Sequence, residues 1–67
     1  MAQGAQAGVP VPRDLQAAVS RFIERHGVLE AARRLKLARE TLIRLRAGDM
    51  VREGTIEIVR QRLREAA

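Results

Sequence analysis

Apolar residues recur along most of the chain at intervals of three and four positions, the spacing that places them on one face of an α-helix. The first stripe predicts a helix from about Pro12 to about His26, which Gly27 ends by adopting a left-handed conformation. The apolar positions of this helix are Leu15, Ala18, Val19, Phe22 and Ile23. Another stripe predicts a last helix from about Thr55 to about Glu65, with Ile56, Val59, Leu63 and Ala66 on one face. No segment alternates as a β-strand does, so the pattern predicts an all-α fold.

The segment AARRLKLARETLIRLRAG, residues 31–48, changes phase at Lys36. In a single helix with about 100° per residue, the leucines of the second half would turn away from the face set by the first half, and Leu37 would lie on the wrong side. Two short helices over residues 28–35 and 39–47, joined by a tight turn, remove both conflicts and place Leu37 between the helices. We therefore predict a helix-turn-helix. Its inward positions are Val28, Ala31, Ala32 and Leu35 in the first helix and Leu42 and Leu45 in the second.

Residues 1–11 lack any helical periodicity, are small and uncharged, and contain two glycines. We predict a disordered tail over residues 1–11 and a helix-turn-helix domain over residues 12–67. The expected architecture of the domain is a small all-α bundle of four helices, or of five, with short connections. A chain of 67 residues with one aromatic side chain and no cysteine has a small core and no disulfide. Oligomerisation is the remaining source of support.

Basic residues outnumber acidic ones by thirteen to eight, which gives a formal net charge of +5, and twelve of the thirteen are arginine. Arginine presents a planar fork of donors that suits phosphates and guanine edges. A compact basic chain therefore indicates a polyanionic partner, most often a nucleic acid. A GC-rich genome also produces an arginine-rich composition, and the composition by itself leaves that alternative open.

Other classes of function are not indicated by the composition. One histidine cannot form a metal site by itself, and the chain has no cysteine and no paired carboxylates between apolar walls, so we expect no enzyme, no cofactor and no small-molecule ligand. No apolar run approaches the roughly 18 residues that span a bilayer, and the N-terminus does not have the regions of a signal peptide. We expect a cytoplasmic protein, associated with the nucleoid when bound to DNA, from a bacterium or phage.

The central segment resembles the helix-turn-helix of the lambda-type repressors and Cro. In that family a small residue lies inside the first of the two helices, where this chain has Ala32, and an aliphatic residue lies in the turn, where it has Leu37. Two aliphatic residues anchor the second helix, matched by Leu42 and Leu45, and a glycine often follows, matched by Gly48. The segment GTIEIVRQRL resembles the next helix of the family. The resemblance implies a lambda repressor-like fold and binding to double-stranded DNA.

The resemblance covers about residues 13–65, and three positions depart from the family pattern. Lys36 stands where the family usually has glycine and must adopt a positive φ, at a cost of about 1 kcal/mol. Ala38 stands where a serine-like N-cap is expected and cannot cap the helix, which costs about 1 kcal/mol more. Val28 replaces a polar residue that often touches a phosphate. The first two departures bear on stability and the third on one contact with the DNA backbone.

The face of the second short helix opposite its two anchoring leucines holds the candidates for reading base edges: Arg39, Glu40, Ile43 and Arg44. We expect Arg39 to donate both of its forked N–H groups to a guanine, and Arg44 is the second candidate; a solvated arginine or a phosphate contact is the alternative. Glu40 either accepts from a cytosine amino group or, as the favoured interpretation, supports Arg44 one turn on. Ile43 contacts a thymine methyl group or is a surface aliphatic without a role.

The candidates for phosphate contacts flank the turn and the loop that follows: Arg33, Lys36, Arg46 and Arg52. For each of them, a solvated surface position is the alternative. One short helix reads about four base pairs, so we expect a homodimer whose recognition helices lie about 34 Å apart on a pseudo-palindromic operator. The expected interface consists of Met50, Val51 and Ile58; alternatively, Met50 and Val51 close the bottom of the core.

These expectations combine into one leading hypothesis, a sequence-specific regulator that binds double-stranded DNA as a phage- or plasmid-type repressor. It blocks transcription by occupying an operator, and the family resemblance implies that it controls its own promoter. Two alternatives stay open. One is a protein-binding helical adaptor or anti-repressor, and the other is a nonspecific DNA accessory protein.

Overall fold

Four helices make up most of the computed structural model of the chain, which describes residues 8–66. The elements in chain order are β1 (Val9–Pro10), α1 (Arg13–His26), α2 (Val28–Leu35), α3 (Arg39–Ala47), β2 (Met50–Val51) and α4 (Glu53–Ala66). The predicted all-α bundle is confirmed, with four helices and no fifth in the described part of the chain. The bounds of α2 and α3 are those predicted, whereas α4 begins two residues before the predicted start at Thr55.

A short β-ribbon is the feature that the hydrophobic pattern does not predict. Val9 pairs with Val51 and Pro10 with Met50 in antiparallel register, and Val11 behind them is buried. The predicted disorder is therefore wrong for residues 8–11, and the rest of the predicted tail, residues 1–7, lies outside the described residues. Strands of two residues are too short to show alternation, and this pairing joins positions forty or more residues apart.

One apolar cluster holds the helices and the ribbon together. It contains Val11, Leu15, Val19, Ile23, Ala31, Leu35, Leu42, Leu45, Val51 and Val59. A second set packs against it while partly exposed: Phe22, Val28, Ala32, Leu37, Ile56, Leu63 and Ala66. The inward positions predicted for the helix-turn-helix all belong to one of these two sets. No charged or polar side chain is buried among residues 8–66, so burial of apolar surface is the main stabilising term for this core.

The turn between α2 and α3 bends where the change of phase predicts it. Lys36 has φ 55° and ψ 46°, the left-handed conformation, and is the one non-glycine residue with positive φ in the described chain. Leu37 donates its backbone N–H to the carbonyl of Ala32 at 3.0 Å, and Lys36 donates to that of Arg33 at 3.3 Å. This pair of bonds is the Schellman motif, which a glycine usually completes. The predicted tight turn and the predicted positive φ of Lys36 are confirmed.

The end of α3 uses the same motif with its usual residue. Gly48 has φ 77° and ψ 22°, and Asp49 donates its N–H to the carbonyl of Arg44 at 2.9 Å. At the start of α3, Ala38 is extended, with φ −65° and ψ 146°, and it has no polar side chain for capping. The helix therefore ends on a well-formed cap and begins without a side-chain cap, as the sequence predicts.

Candidate nucleic-acid interface

The outward face of α3 is the candidate site for reading DNA. Leu42 and Leu45 are 0 % exposed and anchor the helix in the core. The residues predicted to read base edges lie away from this anchor and are all exposed: Arg39, Glu40, Ile43 and Arg44. Ile43 is 43 % exposed. The structure thus places the four predicted residues together on one accessible side of a nine-residue helix.

Glu40 does not hold Arg44 in the way that helical spacing suggests. Within residues 8–66, the ion pairs join Glu30 to Arg33 and Arg34, and they join Asp14 to Arg60. No ion pair involves Glu40 within this described range. The expected supporting pair with Arg44 is therefore not formed, and both guanidinium groups of the face are available to an external acceptor. Glu40 stays a candidate acceptor for a cytosine amino group.

Arg62 of α4 bonds to the turn that sets the orientation of α3 relative to α2. Its Nη1 donates to the carbonyl oxygens of Leu35 at 3.2 Å and of Lys36 at 2.6 Å. The last carbonyls of a helix receive no hydrogen bond from within the helix. A cation placed there donates hydrogen bonds to them and lies at the negative end of the helix dipole. This contact ties the last helix directly to the bend between α2 and α3.

A second contact fixes the far end of α3. The side chain of Gln16, on α1, donates from Nε2 to the carbonyl oxygen of Arg46 at 2.9 Å. A Cβ added at Gly48 would lie 2.9 Å from the same Gln16 nitrogen, so the glycine also leaves room for this contact. Neither Gln16 nor Arg62 was among the predicted site residues. The sequence shows them only as polar positions beside buried stripes, which carries no signal for a bond to a distant carbonyl.

The four predicted phosphate contacts are all exposed, on α2, in the turn, on α3 and in the loop before α4: Arg33, Lys36, Arg46 and Arg52. Glu30 contacts the Arg33 guanidinium at 3.5 Å, but the Arg33 side chain is 81 % exposed. Exposed pairs of this kind contribute about 0–1 kcal/mol and break readily when a phosphate competes. Glu30 also pairs with Arg34 at 3.1 Å, one helical turn further along α2.

The predicted dimer interface is only partly accessible. Met50 is 50 % exposed and Ile58 is 43 % exposed, so both remain candidates. Val51 is 8 % exposed, because its side chain packs in the core and its backbone pairs with Val9. The assignment of Val51 to an interface with a second chain is therefore wrong; it closes the bottom of the core. Leu29, on α2, is 63 % exposed and is an apolar surface position that the sequence pattern did not single out.

The described residues offer little other chemistry. Residues 8–66 contain no group of three His, Cys, Asp or Glu side chains placed to hold a metal ion. None of the described helices combines the length and apolar character needed to cross a bilayer. The Arg60 guanidinium, hydrogen-bonded to Asp14 at 3.0 Å, lowers the pKa of that carboxyl against the opposing effect of its partial desolvation. This pair is an exposed link between α1 and α4.

Comparisons with protein-family models, with curated proteins and with solved structures find no match for this chain.

Proposed function

We propose that this chain is a sequence-specific regulator that binds double-stranded DNA through α3. One observation carries the proposal: two fully buried leucines anchor a short helix whose opposite face is exposed and bears Arg39, Ile43 and Arg44. The left-handed residue Lys36 separates this helix sharply from α2. A basic helix held in this way after a tight turn has the form that enters a major groove.

In this proposal each outward side chain has a distinct role. Arg39, at the start of α3, donates two N–H groups to the O6 and N7 atoms of a guanine, and Arg44 reads a second position. Ile43 covers the methyl group of a thymine, which removes apolar surface of both partners from water. The exposed arginines and the lysine around the turn bind phosphates, which provides affinity and orientation but no sequence information.

The proposed assembly is a homodimer that acts as a repressor by covering an operator. One copy of α3 reads too few base pairs for useful specificity, and a two-fold pair of chains reads two half-sites about one helical turn apart. Met50 and Ile58 are the exposed apolar residues proposed for this interface. Control of its own promoter follows from the resemblance to lambda-type repressors.

Selection of bound duplexes from a random pool tests the proposal. We expect a recovered consensus with two-fold symmetry and half-sites about 10 base pairs apart. Arg39→Ala should weaken binding to that consensus by about 1–3 kcal/mol and relax one base position in each half-site. Arg64→Ala is the matched control, because it removes the same charge from an exposed position on α4.

Each rival function gives a different result in the same experiment. A nonspecific accessory protein yields no consensus and binds operator and random duplex equally. A protein-binding adaptor does not show the salt-sensitive binding to duplex DNA that phosphate contacts impose. If Arg39→Ala reduces binding equally for all sequences, Arg39 contacts phosphate and does not read a base.

The dimer is tested by the mass of the particle in solution. Ile58→Asp should convert a dimer into a monomer, because the new carboxylate would lose its hydration in an apolar interface. Leu29→Asp introduces the same charge at another exposed apolar position and should leave the dimer intact. A dimer that survives Ile58→Asp would show that Ile58 does not lie in the interface.

A further inference from the structure

A groove runs between α1 and α4 on a part of the surface that the proposed DNA contact does not use. The last helix packs mainly against α2, so α1 and α4 share few close backbone contacts and leave partly exposed apolar side chains between them. The floor of this α1–α4 groove consists of Ala18 and Phe22 from α1 and of Leu63 and Ala66 from α4. Phe22 is the one aromatic residue of the chain, and its ring lies 4.5 Å from that of His26.

The groove consists of two adjoining cavities. Its wider end, beside Phe22, has a volume of about 370 Å³, enough to take several apolar side chains. Its narrower end lies beside Asp14 and Arg60, and the two ends meet at Ala18 and Leu63. From Asp14 to the end of α1 the two cavities follow the helix for about 18 Å at 1.5 Å per residue, which is slightly more than three helical turns.

Cations line the rim of the groove: Arg21, Arg25 and Arg34 at the wider end and Arg60 and Arg64 at the narrower end. The acidic residue among the lining positions is Asp14, and Arg60 already binds it. Three of the rim side chains, those of Arg21, Arg25 and Arg64, take part in no ion pair or side-chain hydrogen bond within residues 8–66. The rim is thus strongly positive and has donors available for a partner.

An apolar floor between cationic rims is complementary to an amphipathic helix whose apolar stripe is flanked by carboxylates. We infer that the α1–α4 groove docks an acidic amphipathic helical segment of a protein partner. The apolar side chains of the segment cover Phe22 and Leu63, and its carboxylates pair with the free arginines of the rim. A phosphate backbone carries no side chains that could cover this floor, so the groove favours a protein segment over nucleic acid.

The groove and α3 can be occupied together. Gln16, which holds the end of α3, and Arg25, on the groove rim, differ by about 180° around α1 at 100° per residue. The partner therefore binds on the far side of α1 from the helix proposed to read DNA. This inference does not rest on DNA binding, and it would stand if α3 read no sequence.

Three synthetic peptides of about 15 residues, long enough to span the groove, test the inference against the full chain. The first carries a leucine stripe flanked by glutamates, the second has the same stripe flanked by lysines, and the third keeps the glutamates with glutamines in place of the leucines. We expect binding of the first peptide alone, detected by fluorescence anisotropy. Amide shifts in nuclear magnetic resonance should change at Ala18, Phe22 and Leu63. Equal binding of the second or third peptide would overturn the inference, as would shift changes confined to α3.

Two charge-reversed variants separate this site from the DNA site. Arg21→Glu with Arg25→Glu should weaken binding of the first peptide at least about tenfold, because like charges then face each other across the rim. Arg39→Glu with Arg44→Glu makes the same change in net charge on α3 and should alter peptide binding by less than about threefold, since long-range effects are screened. For duplex DNA, the α3 variant should lose more affinity than the α1 variant. If the α3 variant also loses more affinity for the peptide than the α1 variant does, the inference is refuted, even when the DNA result is as expected.

Two other occupants are also tested with the unmodified chain. If random-sequence duplex DNA shifts the amides of Phe22 and Leu63, the groove binds nucleic acid and the inference fails. If dilution of the chain alone shifts the same amides, a second copy occupies the groove and the inference also fails. Both titrations use the wild-type chain, so the conclusion does not depend on whether the charge-reversed variants fold.

Discussion

Replacement of Lys36 by glycine should stabilise the protein, although it removes a side chain from the surface. Lys36 is left-handed, and this conformation costs an L-residue about 1–2 kcal/mol that glycine does not incur. Glycine also has more conformational freedom than lysine in the unfolded chain, and this lowers the free energy of unfolding by about 0.4–1 kcal/mol. The net increase in the free energy of unfolding is about 0.5–1 kcal/mol, which raises Tm by about 2–8 °C for a domain of this size.

The matched variant is Lys36→Ala, which removes the same charge and keeps a Cβ in the left-handed conformation. Its free energy of unfolding should lie within about 0.5 kcal/mol of that of the wild type. The free energy of unfolding of the wild type and of both variants is measured by urea unfolding, followed by far-ultraviolet circular dichroism. Equal stability of the glycine and alanine variants would show that glycine relieves no strain at this φ and would contradict the prediction. Both variants should bind operator equally, since both lose the same candidate phosphate contact.

Three further predictions concern contacts between distant parts of the chain. Arg62→Met should lower the free energy of unfolding by about 1–3 kcal/mol, because two carbonyls at the turn lose a charged donor. Gly8→Ala should lower it by about 1–3 kcal/mol, because the new Cβ would lie 2.6 Å from a backbone carbonyl oxygen of β2 and push the ribbon apart. Asp14→Asn should be less stable than the wild type near neutral pH. The carboxyl of Asp14 binds its proton less readily in the folded state than in the unfolded state, where its pKa is near 3.8. The difference in stability should therefore disappear as the pH falls through the lowered pKa of Asp14.

Each of these predictions has a control. Arg64→Met makes the same change on α4 at an exposed position and should shift stability by less than about 0.5 kcal/mol. Gly54→Ala adds a Cβ in the first turn of α4, where no atom beyond the neighbouring helix backbone lies within 4 Å, and it should raise the free energy of unfolding by up to about 1 kcal/mol. If Arg62→Met and Arg64→Met have the same free energy of unfolding, the bonds from Arg62 to the turn do not stabilise the fold. If Gly8→Ala is as stable as Gly54→Ala, the backbone at Gly8 does not lie against β2. For Asp14, a difference in Tm that stays constant down to about pH 2 would contradict the role of its ionisation.

The helices and the turn were predictable because the forces that set them act over a few residues. The apolar stripe of α1 repeats within one turn, and the change of phase at Lys36 reports the bend directly. The exposed face of α3 was predictable for the same reason, since burial of Leu42 and Leu45 leaves the opposite side to solvent. The exposure of the four candidate base-reading residues therefore follows from local periodicity.

Tertiary structure alone decided the features that join distant positions. The pairing of Val9 with Val51, the bonds from Arg62 to the turn and the burial of Val51 depend on where the chain returns after α3. The α1–α4 groove has the same origin, because neither helix by itself shows that the two helices lie side by side with a groove between them. Side chains such as Arg62 and Arg64 look alike in the sequence, and only the distance to a carbonyl oxygen separates an anchor from a solvated charge.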